Sequence, residues 1–352
     1  MKHLHQKFKE ELGEAENLYV KNGLVYIRER YWSPSDIVEL AGARDGTNEV
    51  FDQLFANWLE ERTDDLLQMA DEILDRYDQR DRFRRLSEAY DTGAVVPFVG
   101  AGFSMPSGYP GWTTFLRRQR KETAILEEEF EHLLKEGKYE EAAQRIADLM
   151  DVAFNEAVDS SFGCTRELTG VVQLLPYIFK GSVITTNFDN VLSRSFASAG
   201  NQFVETFSGC DSQEIRRKLA NDEHFLLMLH GKAPSGRGRI LTFSEYEEHY
   251  ANGRTLQKTI ASFCDTHNLL FLGCSLTVDR TLAAIRDYVN EEGHDRLPKH
   301  YAFLAEPDSN EKRLERQREL ARCHIYPIWY PAGTHDESIE ALLTKLSNGA
   351  AQ

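Results

Sequence analysis

Four short apolar segments of this chain each end in residues able to do chemistry. VVPFVGAGFSMPSGYPGW runs into Gly100, Ala101 and Gly102 and on to Ser104 and Pro110; VITTNFDNVL carries Thr185, Thr186, Asn187 and Asp189. FLLMLHGK ends in His230 before Gly231, and LLFLGCSLTVD continues into Gly273, Cys274 and Ser275. A glycine pair after a strand lets backbone amides approach a pyrophosphate closely, and such amides neutralise phosphate locally whatever the net charge. The same pair also serves tight packing at a βα turn. It lacks the third glycine of the dehydrogenase dinucleotide fingerprint, because Met105 stands there. Hydroxyl, amide and carboxylate groups at a strand's carboxyl end can face the ligand crevice of an open α/β sheet. Asn187 and Asp189 are equally suited to capping the next helix. His230 reads either as a satisfied core imidazole or as a general base, since an unperturbed imidazole titrates near neutrality.

Such groups act together only if the fold gathers them, and the surrounding pattern supplies the elements. From Asp91-Thr92-Gly93 onward, short apolar runs alternate with longer amphipathic stretches. That alternation predicts an α/β fold, a Rossmann-like parallel sheet with helices on both faces. Strands are expected at residues 94–99, 182–185, 225–229, 269–272, 300–304 and 325–329. Residues 116–177 are dominated by charged amphipathic helix such as EEEFEHLLKEGKYEEAAQRIADLM and are expected to form a small helical lobe over the strand ends. Residues 1–90 read as helices: FDQLFANWLEERTDDLLQMADEILDRY sets Phe51, Leu54, Phe55, Trp58, Leu59, Leu66, Leu67, Ile73 and Leu74 at largely helical spacing. This extension carries no catalytic constellation and is expected to be a cap or an assembly arm, leaving 91–352 as the catalytic domain. KAPSGRGR, residues 232–239, reads as an exposed loop.

Composition excludes some partners. With 41 basic and 57 acidic residues the formal charge is −16, and no basic field for a nucleic-acid backbone is visible. Cys164, Cys210, Cys264, Cys274 and Cys323 stand far apart without a C-x-x-C pair, which suits reduced thiols. The start, MKHLHQKFKEEL, is too charged for a signal peptide, and no long apolar run suggests a membrane span. A cytoplasmic protein with no direct nucleic-acid or membrane partner is expected.

GAG, TTN, HG and GCS, in that order at successive strand ends, resemble the sirtuin family from residue 94 to residue 329. The resemblance implies that Gly100, Ala101, Gly102, Ser104 and Pro110 belong to the phosphate loop and the NAD-binding segment after it. Thr185, Asn187 and Asp189 fall on the family's T-Q-N-x-D motif, which contacts nicotinamide and its ribose. His230 falls on the catalytic histidine of the H-G motif, and Gly273 and Ser275 on the G-T-S motif near the adenosine half.

Several departures separate the chain from protein deacylases. The zinc ribbon is missing, since only Cys264 lies between the H-G and G-T-S positions, so no structural zinc is expected. Thr186 replaces the glutamine of T-Q-N, and Pro110-Gly111-Trp112-Thr113 replaces the P-D-F-R pattern. Together with LTFSEYEEHY, residues 241–250, these features resemble the sirtuin-like subfamily of bacterial antiphage defence. That resemblance implies a hydrolase of NAD, the substrate, cleaving the nicotinamide–ribose bond to nicotinamide and ADP-ribose and depleting the infected cell. It also implies a homo-oligomer and a separately encoded partner, a HerA-type ATPase or another sensor. On this reading Asn187 orients the ribose and attacking water, His230 accepts a proton, and Asp189 binds near the carboxamide or steadies the loop. Phe103, Trp112 and Phe188 screen the site or simply pack. The alternatives are a deacylase or ADP-ribosyltransferase, a non-catalytic NAD or ADP-ribose sensor, and a scaffold with a residual pocket.

Overall fold

A computed structural model of the chain describes residues 49–349 apart from 210–211, 222, 234–237, 251–254 and 277–279, and describes 1–48 only in short stretches. Much of the expected helical extension, the middle of the 232–239 loop and Cys210 lie outside the described residues. The chain divides into two compact units, Met1–Met69 and Ala70–Gln352.

In the first unit, β1 (Val25–Ile27) pairs antiparallel with β2 (Arg30–Trp32), Val25 opposite Trp32. These strands depart from the reading of residues 1–90 as helices; apart from Arg30, the residues of VYI and RYW are β-branched or aromatic, the types that suit a pleated surface. Phe8 and Phe55 are buried together with Trp58 and Leu59 against them. Phe55 and Trp58 belong to α1 (Glu49–Asp75), a 27-residue helix with no glycine or proline to break it, which runs through the boundary between the units.

The second unit is built on a seven-stranded, all-parallel sheet of order β5-β6-β4-β3-β7-β8-β9. Its strands are β3 (Val95–Val99), β4 (Val183–Thr185), β5 (Glu205–Ser208), β6 (Phe225–Met228), β7 (Asn268–Leu272), β8 (His300–Ala305) and β9 (Ile325–Tyr330). The central strands are unbroken apolar runs buried along their length, as a parallel sheet covered by helices requires. All six expected strands are present. The seventh, β5, escapes the pattern because it lies at the sheet's edge and of its four residues, ETFS, only Phe207 is buried.

From β3 the chain moves to β4, skips to the edge strand β5, returns to fill the gap with β6, then crosses back to β7 and winds the other way through β8 and β9. This reversal opens a crevice at the carboxyl ends of β3, β4 and β7, where ligands of open α/β sheets bind. The expected lobe is inserted between β3 and β4 as α3 (Trp112–Arg120), α4 (Glu127–Lys135), α5 (Tyr139–Met150) and α6 (Val152–Phe162). Phe115, Phe130, Ala142, Ile146, Phe154 and Val158 bury its inner faces.

Before β3, α2 (Arg80–Asp91) buries Phe83 and Leu86. Gln79, fully buried, treats the edge of β9 as a strand would: its Nε2 donates to the carbonyl of Trp329 at 3.0 Å and its Oε1 accepts from that residue's N–H at 2.5 Å. The helices that matter to the site are α8 (Val191–Ser198), after β4, and α10 (Phe243–Tyr250), after β6; the chain then runs through α11 (Thr255–Thr266) to β7 and α12 (Arg280–Glu292). Between α6 and α8 lies the short α7 (Leu175–Ile178), and α9 (Ser212–Ala220) links β5 to β6. α13 (Asn310–Ala321) and α14 (His335–Gly349) flank β9 in the sequence.

Candidate active site

The turn after β3 packs backbone on backbone against the turn after β7. Gly100 N–H donates to Leu272 O at 2.8 Å and Gly102 N–H to Gly273 O at 3.0 Å. A Cβ on Gly100 would stand 2.6 Å from Gly273 O, and one on Gly102 would stand 2.9 Å from Gly273 Cα. Gly273 itself has φ +63°, a conformation that suits glycine. The missing side chains thus admit the neighbouring turn, and the amides of both glycines are engaged by it.

At the end of β4, Thr185 is buried beneath the site: its hydroxyl donates to Val99 O at 2.7 Å and accepts from Asn187 N–H at 3.0 Å. Asn187 Nδ2 donates to Gly100 O and to Ser104 Oγ, each at 3.0 Å. Both amide hydrogens are committed to the glycine turn, so the group Asn187 has left to offer is its Oδ1 acceptor. Asp189 Oδ1 accepts from Val191 N–H at 3.0 Å and so caps the start of α8. Burial pushes the Asp189 carboxyl above its ordinary value, opposed by the Val191 amide and the Ser104 hydroxyl.

Past β6, Leu229 N–H extends the ladder to Thr185 O, and Gly231, with φ +80°, turns the chain so tightly that a Cβ would meet Gly238 O at 2.5 Å. His230 sits in this turn, 7% exposed. Its Nε2 lies 2.8 Å from the hydroxyl of Tyr250, and its Nδ1 3.3 Å from that of Tyr246. Desolvation drops its pKa to about 3, so the ring is neutral at physiological pH.

Asn187 and His230, delivered by β4 and β6, line one cavity of about 190 Å³ together with Ala101, Ser104, Pro110 and Asp189. Trp112, Phe162 and Phe188 supply an aromatic wall, with Phe188 6.4 Å from His230 and 5.8 Å from Trp112 between ring centroids. Gly102, Gly273 and Ser275 instead line a second cavity of about 780 Å³, alongside Phe103, Met105 and Tyr330. The turn 101–105 is the shared wall: Ala101 and Ser104 face the first cavity, Gly102, Phe103 and Met105 the second. Gly100 and Thr185 line neither and act behind them.

Three polar ties bind the inserted lobe to the segment after His230 and to α12. The buried Arg239 guanidinium donates to Asn155 Oδ1 at 2.5 Å, to Ala233 O at 2.6 Å and to Asp159. Gln144 Oε1 accepts from the amide and hydroxyl of Ser244. Arg280, at the rim of the first cavity, pairs with Glu140 of α5 at 3.0 Å and with Glu247 of α10 at 2.6 Å. Sequence reasoning missed Tyr246, Tyr250, Arg280, Glu140 and Thr281; the one available signal was the spacing of Tyr246 and Tyr250, one turn apart on a helix that follows the His–Gly pair.

Among the described residues no group of three or more His, Cys, Asp or Glu gathers as metal ligands, and no helix is long and apolar enough to cross a membrane.

Residues 181–328 match the description of a SIR2-like domain. The chain is 24% identical over 236 residues to the NAD(+) hydrolase ThsA of Enterococcus faecium, covering 64% of this chain and 46% of that protein. It is 25% identical over 236 residues to defense-associated sirtuin 2 of Bacillus subtilis, covering 64% of this chain and 22% of that protein. With the NAD(+) hydrolase ThsA of Cytobacillus dafuensis it shares 21% over 267 residues, 69% of this chain and 51% of that protein. The chain therefore spans about half, or less, of the length of the relatives it matches.

Proposed function

From the match of residues 181–328 to a SIR2-like domain and the likeness to NAD(+) hydrolases and a defence-associated sirtuin, we propose that the chain hydrolyses NAD at the nicotinamide–ribose bond, releasing nicotinamide and ADP-ribose, in antiphage defence. One observation carries the reading: an amide from β4 and an imidazole from β6 line a single cavity beside the glycine turn. In this reading the adenosine half would occupy the larger cavity across that turn, with the diphosphate over residues 101–104 and the nicotinamide riboside among Asn187, His230 and the aromatic wall.

Breaking this glycosidic bond develops oxocarbenium character on the ribose, and water completes the reaction at the anomeric carbon. The site suits that charge. Arg280, a cation at the rim, is matched by the carboxylates of Glu140 and Glu247 and does not oppose it. Asn187, its hydrogens held by Gly100 and Ser104, presents Oδ1 to orient a water or ribose hydroxyl. His230, neutral, accepts the proton released when that oxygen attacks or is activated. Asp189 holds α8 in place and steadies the segment that carries Asn187.

The test is to incubate the purified protein with NAD and separate the products by chromatography. Free nicotinamide and ADP-ribose are expected, and Asn187→Ala and His230→Ala should each cut the rate by about 10² to 10⁴ with the circular dichroism spectrum retained. Two folded variants that consume NAD at the parental rate would refute the assignment. ADP-ribose found only on a protein acceptor would replace hydrolysis with transfer.

A further inference from the structure

The two nitrogens of His230 are not equivalent. Tyr246, whose hydroxyl lies 3.3 Å from Nδ1, lines the first cavity. Tyr250, whose hydroxyl lies 2.8 Å from Nε2, does not line it and is 7% exposed. The Tyr250 hydroxyl in turn reaches Thr281 Oγ1 at 3.3 Å. Nδ1 thus meets a cavity-lining hydroxyl on the longer of the two bonds, a partner that an incoming hydroxyl can displace. Nε2 is turned inward on the shorter of the two bonds.

We infer that Tyr250 is a positioning residue that holds His230 in the tautomer protonated at Nε2, leaving the Nδ1 lone pair facing the cavity. A phenol oxygen can donate and accept at once. With its own proton directed to Thr281 Oγ1, the Tyr250 oxygen has a lone pair to accept Nε2–H. The polarity then runs from imidazole to phenol to threonine. When Nδ1 takes a proton from a ribose hydroxyl or from water, the ring becomes an imidazolium whose Nε2–H is already hydrogen-bonded to the buried Tyr250 hydroxyl. Without that acceptor the neutral ring is free to place its hydrogen on Nδ1, and in that form it cannot act as a base toward the cavity. Burial disfavours the protonated ring, so the choice of tautomer decides which nitrogen can act as a base.

This inference rests on the proposed hydrolysis for its catalytic meaning, whereas the tautomer itself is observable without substrate. The experiment is nitrogen NMR on the full chain carrying ¹⁵N-histidine, with His230 assigned by its absence from His230→Ala, beside steady-state kinetics with NAD. In the parental protein at neutral pH, Nε2 is expected as the protonated nitrogen and Nδ1 as the bare one. Tyr250→Phe should shift population toward Nδ1–H and lower kcat by about tenfold, the worth of one buried hydrogen bond, with KM for NAD little changed. Thr281→Val, which removes the acceptor of the tyrosine proton and keeps the ring, should move the tautomer the same way. A parental His230 protonated at Nδ1, or a Tyr250→Phe protein with parental tautomer and kcat, overturns the inference. The expected tautomer in a protein that consumes no NAD would support the tautomer assignment and defeat the reaction assigned to it.

Discussion

Three buried imidazoles contribute to the response of this fold to acid. Desolvation lowers His230 and His300 to about 3 and His324 to about 4, from an ordinary value of 6.5. His300 is built into the sheet, its Nδ1 accepting Leu269 N–H at 3.2 Å, and its ring lies 6.4 Å from that of His324. Above 6.5 neither the folded nor the unfolded chain protonates these rings. Below it the unfolded chain binds protons that the folded chain refuses. Stability therefore falls as the pH drops from 6.5 toward 3 or 4, by up to about 1.4 kcal/mol per pH unit for each ring. Thermal melts should show a clearly lower midpoint at pH 5 than at pH 7.5, and His300→Asn, which can still accept from Leu269, should flatten that slope. Equal slopes for parent and variant would show that His300 does not titrate this way. At this scale the sequence was legible for side chains whose chemistry is conspicuous. Asn187 and His230 stand out at strand ends; Tyr246 and Tyr250 do not, because tyrosine is an ordinary resident of an amphipathic helix and its contact with His230 arises only in three dimensions.

Two turns bring β3 and β7 into register, and glycine is the condition for both. Gly100→Ala would drive a methyl to within 2.6 Å of Gly273 O and 2.7 Å of Cys274 Sγ, with the sulfur able to move and the carbonyl not. A loss of about 1–3 kcal/mol is expected in urea unfolding, accompanied by loss of NAD turnover, because the same turn fixes Asn187 through Gly100 O. A variant with parental stability and turnover would mean that the turn can relax. Elements were readable where burial is complete: β3, β4, β6 and β7 are apolar runs with chemistry at their ends. β5 was not, since an edge strand with one buried residue in four writes no periodicity. Nor were β1 and β2, three residues each, too short to stand out within an otherwise helical segment. The division of the site residues between two cavities was also invisible, because alternate sides of one turn are set by its torsion angles and not by residue type.

The compact unit that carries the sheet begins at Ala70, so Gln79 and α2 belong to it. A chain cut to begin at residue 91 would lose the Gln79 amide that pairs with Trp329 and the apolar face of Phe83 and Leu86. It should melt well below a chain beginning at residue 70 and aggregate more readily, a difference that differential scanning fluorimetry and light scattering would reveal. Indistinguishable behaviour of the two would show that α2 is dispensable. The insert between β3 and β4 has a mechanical consequence. Because Asn155, Gln144 and Glu140 grip Arg239, Ser244 and Arg280, the lobe is geared to the segment that carries Tyr246 and Tyr250. Any displacement of that lobe would have to break or carry along these contacts, and with them the helix whose tyrosines hold the imidazole.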